Sequence, residues 1–284
     1  MQVSAYHTPL IRAQDDICQV IANAIPSIPE RSFLVIASKI ASTVEDRFVP
    51  KTTTDKSEKY ELVKKEAEFY LDPLQSKYNM MLTVKRNWMF VNAGIDESNA
   101  DNQYILWPKD PQEVVNHIWQ FLRAHYDIKE VGVTMSDSIS IPLNWGVIGH
   151  AIAYCGFHPL KSYIDKPDLF GRLMKMEQVN IMQSITAAAV LEMGEGNEST
   201  PLGLVTDIEP VEFLDHVPTE QELADLKITL AEDAYAPILQ KADWKKGGAN
   251  WHELQAVSSQ NMAWRPSIWD PWIISPQWMI MLRC

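Results

Sequence analysis

The sequence contains little cysteine, and its cysteines are far apart along the chain. Only three occur among 284 residues, at Cys18, Cys155 and Cys284, and no CxxC pair exists. A zinc knuckle or a disulfide framework is therefore not supported. The GxxxxGK[ST] pattern is also absent, which argues against a P-loop nucleotide hydrolase. His150 and His158 are separated in sequence, so we expect hydrogen-bonded core residues rather than a zinc site.

Positive charge is scarce, and long apolar runs are missing. Lys plus Arg number 25 against 37 Asp plus Glu, which gives a net charge of −12. General attraction to nucleic acid needs a basic face, so we expect no nucleic-acid partner. No apolar run approaches the roughly 20 residues that cross a bilayer, and the amino terminus has no basic segment followed by an apolar core. We therefore expect a cytoplasmic protein with no membrane partner.

Strand and helix patterns alternate along the first three quarters of the chain. Apolar runs at residues 32–38 and 130–135 predict buried strands, and the runs on either side of Asn87 predict a hairpin. Amphipathic patterns predict helices at residues 58–71 and 111–126. Because several neighbouring strands look like hairpins, we predict an α/β fold with a mixed α+β sheet rather than a doubly wound one.

Composition changes near residue 214. We predict a catalytic domain over residues 1–214 and a helical, Trp- and Pro-rich extension over residues 215–284, where Thr219 and Glu222 form a capping box. Six of the ten tryptophans lie in the extension. Packing on the core or across a dimer is the first interpretation. A wall of the substrate pocket is the second, and membrane-surface binding is the weakest because a basic face is lacking.

Four short motifs carry the candidate chemistry. "VNAGIDESNA", "TMSDSIS", "PDLFGR" and "MGEGNES" each place a carboxylate beside Gly, Ser or Asn after an apolar segment. Asp96 follows a strand and a glycine turn, Asp137 and Ser138 follow the strand at residues 131–135, and Glu195 lies between two glycines. Oxygen ligands on short loops suit hard divalent cations and the phosphates that they carry. Three acidic residues from three loops could hold one or two metal ions.

A plainer interpretation exists for each of these residues. Asp96 and Asp137 could form turns, because Asp hydrogen-bonds to its own backbone. Glu195 could be a solvated residue that follows a helix-capping Gly194.

Taken in order, the motifs resemble those of the coenzyme F420:L-glutamate ligase family, the F420 gamma-glutamyl ligases. The similarity covers residues 5–210. "NAGIDxSN" and "PDLFGR" are its more specific parts, and it also includes "LVIASKIAST", "LWPKDP", "SDS" and "MGEG".

The resemblance implies an amide-forming enzyme. Such an enzyme would use GTP and Mg²⁺ or Mn²⁺ to join L-glutamate to the carboxylate of an anionic acceptor, an F420 precursor or a related molecule, through an acyl phosphate. In such chemistry the protein mainly positions groups and neutralises phosphate charge. The family's fold, a mixed α/β domain in an intertwined homodimer, is then expected here.

The resemblance also implies roles for individual residues. Asp96 and Asp137 resemble ligands of one metal ion, and Ser138 and Glu195 resemble contacts to a second. Asp96 and Asp137, with Arg172, become the candidate catalytic residues. The positions that resemble the family's nucleotide pocket are Leu10, Ile11, Ser38, Lys39, Asn99, Gly194 and Gly196.

The chain departs from the family at two basic positions. Members usually have "SKAEGR" and "SDTFGRPWR" where this chain has "STVEDR" and "SDSISIPLNW", so Thr43 replaces a lysine and Asn144 stands near a lost basic residue. Lys and Arg at such positions would hold phosphate or carboxylate groups. The departures leave two alternatives: a catalytically weak, regulatory protein that binds a nucleotide or phosphorylated ligand, and a ligase with a different acceptor. The cations that could substitute are Lys39, Lys85, Arg86 and Arg172.

Overall fold

A five-stranded mixed sheet forms the centre of the molecule. The structure is a computed structural model and describes residues 1–73, 77–209 and 211–249. The strands lie in the order β1 (Gln2–Tyr6), β12 (Leu202–Thr206), β2 (Ser32–Ala37), β8 (Val131–Ser140) and β9 (Val147–Cys155). The pair β2 and β8 is parallel and every other neighbouring pair is antiparallel. The predicted mixed α/β sheet is therefore confirmed.

Helices cover both faces of this sheet. The first face carries α1 (Ile17–Ala24), α2 (Ser38–Val44) and α4 (Pro111–Tyr126), and the second carries α5 (Ile181–Met193). Along β2, Leu34 and Ile36 join the core on the first face, whereas Phe33 and Val35 join the core on the second. A strand that is buried on both faces reads as a continuous apolar run, which is why its position was predictable.

A smaller sheet stands beside the central one. Its order is β13 (Lys245–Lys246), β4 (Phe69–Tyr70), β5 (Leu82–Lys85) and β6 (Trp88–Val91). The helix α3 (Lys56–Glu66) packs near it, and β3 (Phe48–Pro50) pairs with β7 (Gln103–Ile105). The prediction that α3 continues to Leu71 is wrong. Residues of β4 pair with β5 and β13, and this long-range pairing takes them out of the helix.

The remaining elements lie towards the edges. The strands β10 (Leu160–Ser162) and β11 (Gln178–Asn180) pair with each other. The segment between them, residues 163–177, is called the arm. Two short helices follow the last strand of the central sheet, α6 (Glu220–Asp225) and α7 (Ala236–Leu239). The capping box of α6 and the bounds of α4 are as predicted.

The first compact unit of the chain runs from Met1 to Gly248. The predicted boundary at residue 214 falls inside this unit. Of the predicted extension, residues 250–284, which include five of its six tryptophans, lie outside the described residues. Among the residues that are described, no helix has both the length and the apolar character that a bilayer span requires.

Candidate active site

The candidate site lies where the carboxyl ends of β2 and β8 meet. Because these two strands are parallel neighbours and Ala37 at the end of β2 pairs with Ser136, the residues that follow β2 lie beside the second half of β8. Ser38 and Lys39 begin α2 directly after β2. Asp137 and Ser138 do not follow β8, as predicted, but lie inside it, because β8 continues as a hairpin with β9 to Ser140.

Strand alternation directs Asp137 and Ser138 to opposite faces of the sheet. Successive side chains of a strand point to opposite sides. Val133 and Met135 join the core on the first face, and Thr134 contacts Thr186 of α5 on the second with 2.8 Å between the hydroxyl oxygens. Asp137 continues the first series and Ser138 the second, so the site has two halves.

The first half joins Asp137 to Asp96 and Lys39. Lys39 Nζ donates to Asp96 Oδ2 at 2.6 Å and to Ser98 Oγ at 2.9 Å. Burial raises the pKa of Asp96, but the bonds and charge of Lys39 and the bonds from Ser98 outweigh it and lower the pKa to about 2. Burial, together with the charge of Asp96, raises the pKa of Asp137 to about 6. The two carboxylates therefore interact, and only one has a lysine bound to it.

Trp107 holds the carboxylate of Asp137, and sequence reasoning missed it. Its indole Nε1 donates to Asp137 Oδ2. The ring is buried and contacts Phe90 edge-on, with 4.8 Å between ring centroids. Gly94, at φ +72°, makes room for the indole, since a Cβ on it would lie 2.1 Å from Trp107 Nε1. Trp107 belongs to "LWPKDP", but nothing in that motif predicts its partner.

His150 lies directly across from Asp137 on β9. Its ring contacts Trp88 edge-on at a centroid distance of 4.5 Å, and burial lowers its pKa to about 4. The prediction of a core histidine therefore holds for His150. It is wrong for His158, whose half-exposed ring lies beside Glu212 because β9 has already ended at Cys155.

The second half joins Ser138 to the segment that follows α5. Ser138 Oγ donates to Glu195 Oε2 at 2.5 Å. Asn99 Nδ2 donates to the carbonyl oxygen of Gly196 at 2.9 Å, so this segment also contacts the loop that carries Asp96. Gly194 ends α5 with a positive φ, as its predicted capping role requires. Unlike Asp137, Glu195 is exposed.

The amino-terminal segment runs beside the same loop. The backbone N–H of Thr8 donates to the carbonyl of Ser199 at 3.1 Å, just before Leu10 and Ile11. Leu10 is exposed and Ile11 packs partly against the core. The predicted nucleotide positions in this segment, in α2 and in the loop after α5 thus lie at one end of the sheet.

Arg172 does not lie within this group of contacts. It is exposed on the arm between β10 and β11, where its backbone N–H donates to Asp168 Oδ1 at 2.9 Å. Of the other candidate cations, Lys85 pairs with Glu66 at 2.8 Å and Arg86 with Asp110 at 3.2 Å. Among these candidates, Lys39 has a described contact with the acidic pair, through Asp96.

The two replaced basic positions have ordinary local roles. Thr43 Oγ1 donates to the carbonyl of Lys39 one helical turn earlier, at 2.8 Å. Asn144 is exposed at the tip of the β8–β9 hairpin, where its Nδ2 donates to Pro142 O at 3.1 Å.

The donor set fits a hard divalent cation. Mg²⁺ is usually held by one or two carboxylates together with water and the phosphates of a substrate, and the pair Asp96 and Asp137 supplies two carboxylates. Burial is the main cause of the raised pKa of Asp137, and a bound cation would lower this pKa again. Within the described ranges, no set of three or more His, Cys, Asp and Glu side chains is arranged to hold a metal ion. One cation site shared by Asp96, Asp137 and Glu195 is therefore not found among these residues, and the metal contacts of each residue stay a prediction.

The family model and three relatives that match this chain are all described as ligases, and each description names F420. A family model described as F420-0:Gamma-glutamyl ligase matches residues 6–207. The coenzyme F420:L-glutamate ligase of Methanococcus maripaludis (strain C7 / ATCC BAA-1331) is 31% identical over 229 residues, 76% of this chain and 91% of the relative. That of Methanopyrus kandleri is 30% identical over 216 residues, 70% and 84% of the two chains. That of Archaeoglobus fulgidus is 29% identical over 209 residues, 69% and 83% of the two chains.

The mixed α/β domain and its relatives together define an acid–amino-acid ligase, an enzyme that forms amide bonds. More specifically, the chain belongs to the F420-0:gamma-glutamyl ligase family. The family resemblance read from the motifs is confirmed.

Proposed function

We propose that this ligase adds L-glutamate, in amide linkage, to a carboxylate of a coenzyme F420 precursor or a related acceptor, with GTP as the co-substrate. The acceptor carboxylate would take the γ-phosphoryl group of GTP, which releases GDP and forms an acyl phosphate. The amine of glutamate would then attack the acyl carbon and release phosphate. The observation that carries the proposal is that, at one end of the sheet, the charge of Asp96 acts on Asp137 and Ser138 hydrogen-bonds to Glu195.

A divalent cation, Mg²⁺ or Mn²⁺, would supply charge neutralisation for the phosphates. Asp96 and Asp137 are the residues that would hold one cation, and Ser138 and Glu195 those that would contact a second. Lys39 contacts Asp96 and is placed to share phosphate charge in place of the lysine that is absent at Thr43.

The nucleotide would lie between the amino-terminal segment and the loop after α5. Support comes from the hydrogen bonds that join this loop to Thr8 on one side and to Asn99 on the other. The residues proposed to line this place are Leu10, Ile11, Ser38, Lys39, Asn99, Gly194 and Gly196.

The functional unit would be a cytoplasmic homodimer. Large apolar side chains stand almost fully exposed at the hairpin tip and on the arm: Trp145 is 93% exposed and Phe170 is 94% exposed. Exposed apolar surface of this kind marks an interaction site. Packing of the arm on a second copy would place Arg172 at the interface between the two copies. The proposed catalytic role of Arg172 would then require the dimer.

A second candidate is a catalytically weak protein that binds a nucleotide or phosphorylated ligand in a regulatory role. The observation that favours it is the loss of basic residues at Thr43 and near Asn144. A turnover assay separates the two candidates. The protein is incubated with F420-0, L-glutamate, GTP and Mn²⁺, and the mass of the acceptor is measured. The ligase produces an acceptor that is heavier by one glutamyl residue and an equal amount of GDP. Nucleotide binding without this product would favour the second candidate.

A further inference from the structure

We infer that a cavity beside the Asp96 loop is the subsite for the incoming amino acid, L-glutamate, and that Lys51, Lys56 and Lys59 bind its carboxylates. The inference rests on the proposed glutamate ligation. The cavity has a volume of about 290 Å³ and lies between the start of α3 and the loop that carries Glu97.

The position of the cavity relates it to the reaction. Glu97 forms part of its wall, and the backbone N–H of Glu97 donates to Asp96 Oδ1 at 2.6 Å. The cavity and the candidate cation site are therefore adjacent, because Glu97 and Asp96 are consecutive residues of one loop. An amino acid bound here would have its amine close to an acceptor that is activated beside Asp96.

The charge of the wall matches an acidic amino acid. In a chain with a net charge of −12, this wall contains three lysines and the two carboxylates of Asp55 and Glu97, so its net charge is 3 − 2 = +1. Glutamate carries two carboxylates and one ammonium group, a net charge of −1. An amino acid needs partners of both signs, and Asp55 is the carboxylate of this wall that remains for its ammonium group, whereas a site for phosphate alone needs only cations.

Lys51 and Lys59 are already arranged to hold a carboxylate. Lys59 Nζ donates to Glu97 Oε1 at 2.8 Å, and Lys51 Nζ contacts the other oxygen of the same group. The side chains of Lys51 and Lys59 are only 24% and 15% exposed. Each ammonium group has three donors, so donors remain for a ligand, and Glu97 competes with that ligand for them.

The size of the cavity restricts the ligand class. Pockets for drug-sized molecules have volumes of about 300–1,000 Å³, so a cavity of about 290 Å³ suits a single amino acid. It is too small to enclose a guanine nucleotide or a tricyclic cofactor, and these would bind elsewhere at the site.

Calorimetric titration with L-glutamate, with and without GTP and Mn²⁺, tests the inference on the full chain. We expect Lys51→Met and Lys59→Met each to weaken binding at least about tenfold, since each removes a charged hydrogen bond. Lys64→Met is the matched control. Lys64 lies on the same helix but pairs with Glu61, at 2.7 Å, outside the cavity. The affinity of Lys64→Met for glutamate should stay within about twofold of the wild type.

The Glu97→Gln variant should bind glutamate more tightly, because the substitution frees both lysines. A damaged fold cannot produce that gain.

Several outcomes would overturn the inference. These are no saturable binding of L-glutamate to the wild type under either condition, equal affinity in the two lysine variants, no gain in Glu97→Gln, or displacement of glutamate by an equal concentration of inorganic phosphate. Lysine-dependent binding of glutamate without glutamylated F420-0 would retain the subsite and refute the proposed acceptor. Product formation with an unchanged KM for glutamate in both lysine variants would refute the subsite alone.

Discussion

The two faces of the outer half of β8 carry similar chemistry in different surroundings. On the first face, Asp137 is enclosed by Trp107 and the nearby aromatic rings, and its pKa is raised to about 6. On the second face, Ser138 pairs with Glu195, which is exposed. Strand alternation therefore divides the candidate site into a buried half, in which the pKa of Asp137 is shifted, and a solvent-exposed half around Glu195. Substitutions on the first face should affect both activity and stability, whereas those on the second should affect activity alone.

The largest effect is expected from Asp137→Asn. We expect kcat/KM to fall about 1,000-fold, or about 4 kcal/mol, because a carboxylate that holds the cation is lost. Without metal, the folded pKa of about 6 lies above the ordinary 3.8, so the ionised carboxylate destabilises the fold as pH rises through this window. Asp137→Asn should therefore gain about 1 kcal/mol of unfolding free energy at pH 7. Turnover and urea unfolding measure the two effects.

Asp225→Asn provides the control for this substitution, because Asp225 is an exposed carboxylate on α6. It should change neither quantity. A large loss of folded protein in Asp137→Asn would instead favour a structural role for this carboxylate within β8.

The next largest effect concerns Gly94, which makes room for the indole on the first face. Gly94→Ala should cost about 3 kcal/mol of unfolding free energy, because the new Cβ would clash with Trp107 at a positive φ. Gly146, at φ +93° with nothing within 4 Å of a built Cβ, is the matched control. Gly146→Ala should cost only about 1 kcal/mol, from backbone strain. Equal losses in the two variants would contradict the proposed packing of Trp107 over Gly94.

A pH-dependent effect is expected from His150 on the first face. Its folded pKa of about 4 lies below the ordinary 6.5, so the neutral ring stabilises the fold above pH 6.5 and this stability is lost as pH falls towards 4. The contribution lost by pH 5 is about 2 kcal/mol. His150→Gln should therefore be less destabilising at pH 5 than at pH 7, as measured by urea unfolding at both values. A pH-independent difference would place the ring in a more solvated environment.

The smallest effect is expected on the second face. Ser138→Ala should lower kcat/KM about fivefold, through one lost contact to a second cation, and should change the unfolding free energy by less than about 0.5 kcal/mol because the site is solvated. Turnover measured against Mn²⁺ concentration, with urea unfolding in parallel, would detect both. A stability loss as large as that of Gly94→Ala would remove the distinction between the two faces.

Local signals explain the parts of the fold that the sequence predicted well. Pro111 and the amphipathic pattern that follows it indicate α4, and the continuous apolar run of β2 indicates a strand buried on both sides. The end of α3 was missed because Phe69 and Tyr70 pair with strands that are distant in sequence. No local pattern contains that information.

The sequence indicated which residues belong to the candidate site better than it indicated how their side chains are placed. The motifs indicated Asp96, Asp137, Ser138 and Glu195. In the structure the charge of Asp96 acts on Asp137 and Ser138 hydrogen-bonds to Glu195, while their roles as metal contacts stay a prediction. The opposite directions of Asp137 and Ser138 were missed because polar residues obscured the continuation of β8 beyond Met135. The contact of Trp107 with Asp137 depends on tertiary packing.

A cation held by Asp96 and Asp137 is tested by the unfolding free energy measured with GTP, with Mn²⁺, and with both together. We expect both ligands together, at about 100 times their dissociation constants, to stabilise the wild type by about 2.7 kcal/mol. GTP alone should have little effect, and Asp137→Asn should lose the gain. Equal stabilisation of both proteins by GTP without metal, or no stabilisation of the wild type, would contradict a cation held by Asp96 and Asp137.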